Sequence, residues 1–108
     1  MKINDILSLN IKRLNSVTTN NIVSNVYIGD VLSFVMSNGK KHTLWLTVQT
    51  NINVIAVANY NNFSGIIFLE NRYPDNETIK KATELKIPLF ISSDDAFLLS
   101  KKLISIGL

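Results

Sequence analysis

Two apolar runs constrain the fold of this chain more than any other feature. They are GIIFL at 65–69 and IPLFI at 87–91. A strand that is apolar on both sides is covered on both faces, which is typical of the centre of a parallel sheet. The segment HTLWLTV at 42–48 predicts a further strand because it is rich in β-branched and aromatic residues. We therefore expect strands that begin at Leu44, Gly65 and Pro88 to form a parallel sheet centre.

Helix signals follow the last two of these strands. Asp75 is placed to cap a helix whose first turn contains Glu77, since a carboxylate stabilises the positive end of a helix. Ser92 or Ser93 is expected to cap the final helix, which ends at Gly107. The predicted buried stripes are Ile79, Ala82 and Leu85 in the first helix, and Ala96, Leu99, Leu103 and Ile106 in the second.

The first half of the chain carries shorter signals. Its predicted segments are an amphipathic helix at 2–9 and extended segments at 11–17 and 22–28. The extended segments are expected at an edge of the sheet, in an order that the sequence does not fix. Asp30 is a good N-cap for a helix over 31–37, and Asn51 is a good N-cap for one that ends near Tyr60.

Alternating strands and helices imply parallel pairing through right-handed crossovers, with helices on both faces of the sheet. The predicted fold class is therefore α/β, a three-layer α/β/α sandwich with a mainly parallel central sheet. With 108 residues, of which 46% are hydrophobic and 18% charged, the chain has the size and composition of one packed domain that spans 1–108.

The residue types present exclude several classes of chemistry. The absence of cysteine excludes disulfides, thiolate metal sites and thiol nucleophiles. No recognisable motif places a carboxylate or hydroxyl beside His42, the one histidine, and the acidic residues lack metal-ligand spacing. No glycine loop of the phosphate-binding type follows a strand. We therefore expect no enzyme activity, no metal and no cofactor.

The charge pattern and the apolar runs also argue against two kinds of partner. The net charge of +3 comes from scattered pairs of basic residues, two of which lie on the solvated faces of predicted helices, so nucleic-acid binding is not expected. No apolar run approaches the ~20 residues of a membrane span, and the amino end lacks the apolar core of a signal peptide. We expect a cytoplasmic protein with no membrane partner.

The polar segment TVQTN at 47–51 lies where a predicted strand ends and a helix begins. Ligands of open α/β sheets bind beyond the carboxyl ends of the strands, where helix N-termini favour phosphate. The candidate ligand-binding residues are Asp30, Ser33, Gln49, Thr50, Asn51, Asn53, Ser92 and Ser93. A second interpretation stays open, because Asp30, Asn51 and Ser93 are also ordinary N-caps, each contributing ~1 kcal/mol without a ligand. Gln49 favours the ligand site, since a long amide there has no capping role.

Three segments that occur in order resemble the DRTGG domain family, relatives of the amino-terminal domain of HPr kinase. They are YIGDVLSFVM, LWLTVQTNINVIAVA and GIIFLENRYPDNETIKKATELKIPLFIS. The residues that match are Gly29, Asp30, Leu32, Ser33, Gln49, Thr50 and Asn53. The chain differs at the motif that names the family, since Asn25 and Val26 stand at its paired glycines. Asn51 and Ile52 stand at its usual His-Pro.

The resemblance implies a stand-alone, non-catalytic α/β/α domain with a regulatory or ligand-sensing role. Its ligand is expected to be a nucleotide or other phosphorylated metabolite, and its partner an enzyme. The alternative is a structural module for dimerisation or docking that binds no small molecule. A homodimer is also expected, because the helix INVIAVANY at 52–60 is apolar on nearly every side. Packing of that helix against the final helix of the same chain is the competing interpretation.

Overall fold

The computed structural model describes all residues from Met1 to Leu108 and contains one five-stranded sheet. Its strands are β1 (Lys12–Arg13), β2 (Asn25–Ile28), β3 (Thr43–Thr47), β4 (Gly65–Phe68) and β5 (Leu89–Ile91). Its helices are α1 (Leu32–Asn38), α2 (Asn53–Tyr60), α3 (Asn76–Glu84) and α4 (Ala96–Ser105). The predicted amino-terminal helix is a 3-10 helix, Ile3–Leu9.

The strands lie in the order β1-β5-β4-β3-β2. Strands β2 to β5 are parallel, with Leu46 beside Ile67 and Ile67 beside Phe90, so the predicted parallel centre is confirmed. Strand β1 runs antiparallel beside β5. The sequence predicts both early segments at one edge, whereas the structure places them at opposite edges. A crossover through α1 joins β2 to β3, which leaves the outer side of β5 for β1.

Alternate side chains of the strands face two separate cores. Trp45 and Phe68 pack into a cluster with α1, α2 and α3 on one face of the sheet. Leu44, Leu46 and Phe90 pack into a second cluster with the 3-10 helix and α4 on the other face. Helical elements therefore cover both faces, and the predicted α/β/α sandwich is confirmed.

The apolar residues of α2 are explained by the core of the chain itself. Val54, Ile55, Val57 and Ala58 are all buried against the sheet and the neighbouring helices α1 and α3. The predicted alternative contact with the final helix is wrong, because α4 lies on the opposite face of the sheet. The apolar character of α2 therefore gives no reason of its own for a second copy to cover it.

The helix ends follow the predictions in part. Asp75 caps α3 as predicted, since its carboxylate accepts a hydrogen bond of 3.0 Å from Thr78 N. Asp95, rather than Ser92 or Ser93, caps α4 by accepting from Leu98 N at 2.8 Å. Leu85 was expected in the buried stripe of α3 but is exposed, because it lies past the last helical turn as the C-cap.

The end of α4 also differs slightly from the prediction. Ile106 is the C-cap of that helix, one residue beyond its last turn, and Gly107 follows with a φ of 119°. Leu99 and Leu103 are buried as expected. None of the four α-helices has the length and apolar content to cross a lipid bilayer.

Candidate functional site

The polar segment TVQTN forms a chain of hydrogen bonds that closes the turn between β3 and α2. Gln49 N donates to Thr47 Oγ1 at 3.0 Å, and Gln49 Oε1 accepts from Asn51 N at 3.1 Å. Asn51 Oδ1 in turn accepts from Asn53 N at 2.8 Å, so Asn51 satisfies the first donor of α2, although Ile52 and not the predicted Asn51 stands at the N-cap position. The side-chain oxygen of Gln49 therefore has a structural role that its length did not suggest.

Asp30 does not cap α1, which corrects the prediction. Val31 is the residue at the N-cap position of that helix and makes no side-chain hydrogen bond there. The Asp30 carboxylate instead accepts from Thr47 Oγ1 at 2.8 Å and from Val48 N at 2.9 Å. Thr47 is fully buried, and a buried hydroxyl needs an acceptor, so Asp30 ties the end of β2 to the end of β3.

The side chains of the other residues predicted around this turn make no hydrogen bonds within the chain. Ser33 lies in the first turn of α1, is exposed and makes no side-chain hydrogen bond. Thr50 is half-buried and makes none either, and Asn53 contributes its backbone N–H alone. These hydroxyl and amide groups are free to contact a ligand, and their role in binding one remains a prediction.

Ser92 and Ser93 lie at the end of β5, with different roles. Ser92 is buried, its hydroxyl oxygen accepts from Asp94 N at 3.0 Å, and its carbonyl accepts from Asn71 N at 2.9 Å. It therefore fastens the loop after β4 to the loop after β5. Ser93 is exposed and lines a cleft. Asp94 forms the one salt bridge in the chain, at 2.7 Å from Lys102 Nζ.

The predicted site residues thus fall into two groups at the carboxyl edge. One group lies beyond β2 and β3, and the other beyond β5, with β4 between them. Two strand spacings separate β3 from β5 by roughly 10 Å. Asp30 and Gln49 line none of the five clefts that have volumes of about 250 to 510 Å³, so none of these clefts joins the two groups.

A cleft of about 300 Å³ lies beyond the carboxyl end of β5, next to β1. We call it the β1 cleft. Its lining residues are Asn10, Lys12, Asn71, Tyr73, Ile91 and Ser93. Strand pairing explains their proximity, because Lys12 is the antiparallel partner of Ile91. The loop after β4 supplies the opposite wall and is held there by its hydrogen bond to Ser92.

The chemistry of the β1 cleft suits an anion that carries a flat ring. Lys12 is the one charged residue in its lining and has no salt-bridge partner. Tyr73 is 58% exposed, so its ring has a free face. Asn71 and Ser93 add an amide and a hydroxyl. The neighbouring Arg13 is occupied elsewhere, because it donates to Val17 O at 2.9 Å and stacks over the Phe90 ring at 5.5 Å.

Sequence reasoning missed Asn10, Lys12, Asn71 and Tyr73. Lys12 and Tyr73 are far apart in the chain, and the pairing of β1 with β5 brings them together. One signal was available: the polar turn ENRYP follows the apolar run at 65–69 and so lies at the same carboxyl edge as the predicted residues. The backbones of Asn10 and Asn71 are left-handed, at φ 60° and 56°, which asparagine tolerates better than most residues.

The titratable groups contain no metal-binding cluster, since nowhere do three or more histidines, aspartates or glutamates come together. One group has a shifted pKa. Hydrogen bonds from the backbone and side chain of Thr78 lower the pKa of Asp75 below its ordinary value of 3.8. This shift belongs to the cap of α3, so it reflects the structure of the helix and not a catalytic group.

No family model matches the chain, and no curated protein matches it. Among solved structures, it is similar to the CBS and DRTGG domains of the regulatory region of a Clostridium perfringens pyrophosphatase in complex with its activator, diadenosine tetraphosphate. The TM-score is 0.71 at 15% identity, and the match covers 92% of this chain and 44% of that one. The chain thus spans less than half the length of this neighbour. It therefore has the α/β fold of part of that regulatory region, which supports the DRTGG-like fold predicted from its sequence.

Proposed function

We propose that the chain is a non-catalytic regulatory domain of the DRTGG type that senses a nucleotide or other phosphorylated metabolite in the β1 cleft. The observation that carries the proposal is a cleft at the carboxyl edge with one free cation and one exposed aromatic ring. The shared fold with a regulatory region that binds diadenosine tetraphosphate supports it. Carboxyl edges of open α/β sheets are the usual place for such ligands.

The lining residues suggest how the ligand is held. The Lys12 ammonium pairs with a phosphate, and the Ser93 hydroxyl and Asn71 amide donate hydrogen bonds to its oxygens. The Tyr73 ring stacks on the base. A volume of about 300 Å³ is at the small end of ligand pockets, so the cleft takes a mononucleotide or a smaller phosphorylated compound.

The turn after β3 is the second place where a ligand can touch this edge. Gln49, Thr50 and Asn51 keep unused amide or hydroxyl donors there. Asn53 lies beside them in the chain, and Ser33 lies in the first turn of α1. A dinucleotide that extends roughly 10 Å past β4 reaches these residues from the β1 cleft. We therefore retain them as contacts for a longer ligand.

The proposed role includes a partner to which the bound state is reported. An enzyme in the cytoplasm is the proposed partner, with no metal or cofactor held by this chain. A relation to the amino-terminal domain of HPr kinase remains a prediction. The second candidate function, a dimerisation or docking module, is favoured by a different observation: the outer edge of β2 carries no charge and is paired with no strand.

A thermal-shift screen tests the sensor function, with adenine and guanine nucleotides, dinucleotides and acyl phosphates as probes. A ligand at a hundredfold excess over Kd stabilises the fold by ~2.7 kcal/mol. For a domain of this size each kcal/mol raises Tm by roughly 4 to 8 °C. At least one probe is therefore expected to raise Tm by roughly 10 °C or more.

Four variants locate the site. Lys12→Ala is expected to abolish most of the shift, and Tyr73→Ala to reduce it for nucleotides more than for acyl phosphates. Lys80→Ala removes an exposed lysine from α3 and serves as the matched control with an unchanged shift. A shift lost in Gln49→Ala but kept in Lys12→Ala places the ligand at the turn after β3 instead. The sensor function is wrong if no probe moves Tm.

A further inference from the structure

The outer edge of β2 has no covering element. This strand, Asn25–Ile28, pairs with β3 on one side and with nothing on the other. Gly29 donates its N–H to Leu46 O at 3.3 Å, and donors alternate along a strand, so the N–H groups of Val26 and Ile28 point away from the sheet. Natural edges are usually protected by lysine, proline or a bulge. The β2 edge has no charged residue and no proline.

An apolar groove of about 310 Å³ runs between this edge and α4. Its lining includes Ser24, Val26, Ile28, Leu103, Ile104 and Leu108. Three helices cover one face of the five-stranded sheet, whereas the 3-10 helix and α4 alone cover the face with the groove. Two helical elements are too few to cover all five strands, so the groove remains beside β2. Val26 and Ile28 point to the less covered face and so remain partly exposed.

The outer surface of α4 continues the apolar surface of this groove. Phe97 and Ile104 are seven residues apart and share one stripe of the helix. Phe97 is 82% exposed, Ile104 66% and Ile28 51%. Large apolar side chains that are exposed and contiguous are typical of a protein interface.

We propose that the β2 edge and the outer stripe of α4 form a homodimer interface. Two β2 strands pair antiparallel about a twofold axis perpendicular to the sheet, which joins two five-stranded sheets into one of ten strands. The same axis places both α4 helices on one face. Ile104 and Phe97 of each copy then cover the groove of the other.

The charges at the two ends of β2 favour a second copy as the occupant. Asp30 follows the carboxyl end of the strand and has no cationic partner. Lys40 and Lys41 precede His42, which lies beside the amino end, and they have no acidic partner. An antiparallel pair sets the end of β2 that leads to Asp30 beside the amino end of the partner's β2, twice over. The partner's β3, which follows Lys40 and Lys41, then lies two strand spacings from β2, roughly 10 Å away. An edge that is acidic at one end and basic at the other is complementary to itself.

Two isoleucine variants test the interface by sedimentation velocity over a range of protein concentrations. The wild-type protein is expected to approach twice the monomer mass of 12.1 kDa as its concentration rises. Ile28→Lys places a charge in the interface and is expected to raise the dissociation constant at least about tenfold. Ile52→Lys is the matched control, since Ile52 is 42% exposed at the N-cap of α2 and lines a cleft with Lys81, away from the β2 edge. The mass profile of this variant is expected to stay that of the wild type.

A third variant separates loss of the interface from loss of the fold. Ile104→Lys changes a residue of α4 that is 66% exposed and lies outside the strands, so it is expected to weaken the dimer with an unchanged circular dichroism spectrum. A monomeric wild-type protein at every concentration overturns the proposal, and leaves an extended peptide of another protein as the occupant of the edge. If Ile52→Lys dissociates the dimer and Ile28→Lys does not, the proposal is also overturned, because the interface then lies on the α2 surface.

Discussion

The two outer edges of the sheet present opposite chemistry. At one edge β1 has two residues, Lys12 and Arg13, both cationic. At the other edge β2 has four residues without charge, next to exposed apolar side chains. A cationic edge resists pairing with another strand and attracts anions, whereas a neutral apolar edge can pair. The proposed ligand site and the proposed dimer interface therefore lie at opposite edges of the sheet.

Both edges are nevertheless fastened firmly to the sheet by side chains. Asn15 extends the β1 edge, since it donates to Ile87 O at 2.9 Å and accepts from Leu89 N at 3.1 Å. Trp45 Nε1 donates to Gly29 O at 2.8 Å, just past the end of β2. The two edges therefore differ in what they present outward, and not in how well they are anchored.

The largest expected effect on stability is at the β1 edge. Arg13→Ala removes the hydrogen bonds to Val17 O and Asn4 Oδ1 and the contact with the Phe90 ring. We expect a loss of about 2 to 3 kcal/mol and a fall in Tm of roughly 10 °C or more. Lys12→Ala, one residue away, is the control, with Tm nearly unchanged and anion binding lost. If the two variants lowered Tm equally, the assignment of a structural role to Arg13 and a binding role to Lys12 would be wrong.

A smaller effect is expected where β2 ends. Asp30→Ala leaves the buried Thr47 hydroxyl without its acceptor, at a cost of about 1 to 2 kcal/mol by chemical denaturation. Asparagine reaches Thr47 and serine does not, although both are good N-caps. Asp30→Asn is therefore expected to retain more stability than Asp30→Ser. The reverse order would show that Asp30 acts as a helix cap after all.

The smallest effect is a pH dependence beside the β1 cleft. Asp75 caps α3 and so fixes the end of the loop that carries Asn71 and Tyr73. Its pKa is lowered from 3.8 by hydrogen bonds from Thr78, so the native state favours the charged carboxylate. This contribution to stability is fully present above pH 3.8 and is lost as the pH falls through the lower native value. Thermal melts of wild type and Asp75→Asn are expected to converge in acid, and a constant difference between them contradicts the assignment.

Local patterns predicted the central elements because their causes are local. The buried strands at 65–69 and 87–91 are apolar on both sides, and Asp75 caps the helix that begins next to it. The partner of Asp30 is different, because Thr47 lies 17 residues away and becomes its neighbour only through the pairing of β2 with β3. Capping preference alone could not reveal that contact.

The candidate site was predicted less completely for the same reason. The carboxyl edge follows from the strand pattern, and Ser93 was identified from it. Lys12 joins Ser93 only because β1 pairs with β5, and no feature of the sequence fixes that strand order. Ser92 was predicted as a cap or ligand contact, but its hydroxyl is buried and accepts from Asp94 N.

Amide chemical-shift mapping tests the central claim most directly, because it observes both edges in one experiment. The ¹⁵N-labelled protein is titrated with ATP and, separately, with diadenosine tetraphosphate. The account predicts shifts centred on Lys12, Asn71 and Ser93, with Val26 and Ile28 responding to protein concentration and not to nucleotide. Nucleotide shifts confined to the β2 edge, or no shifts at millimolar nucleotide, would contradict it.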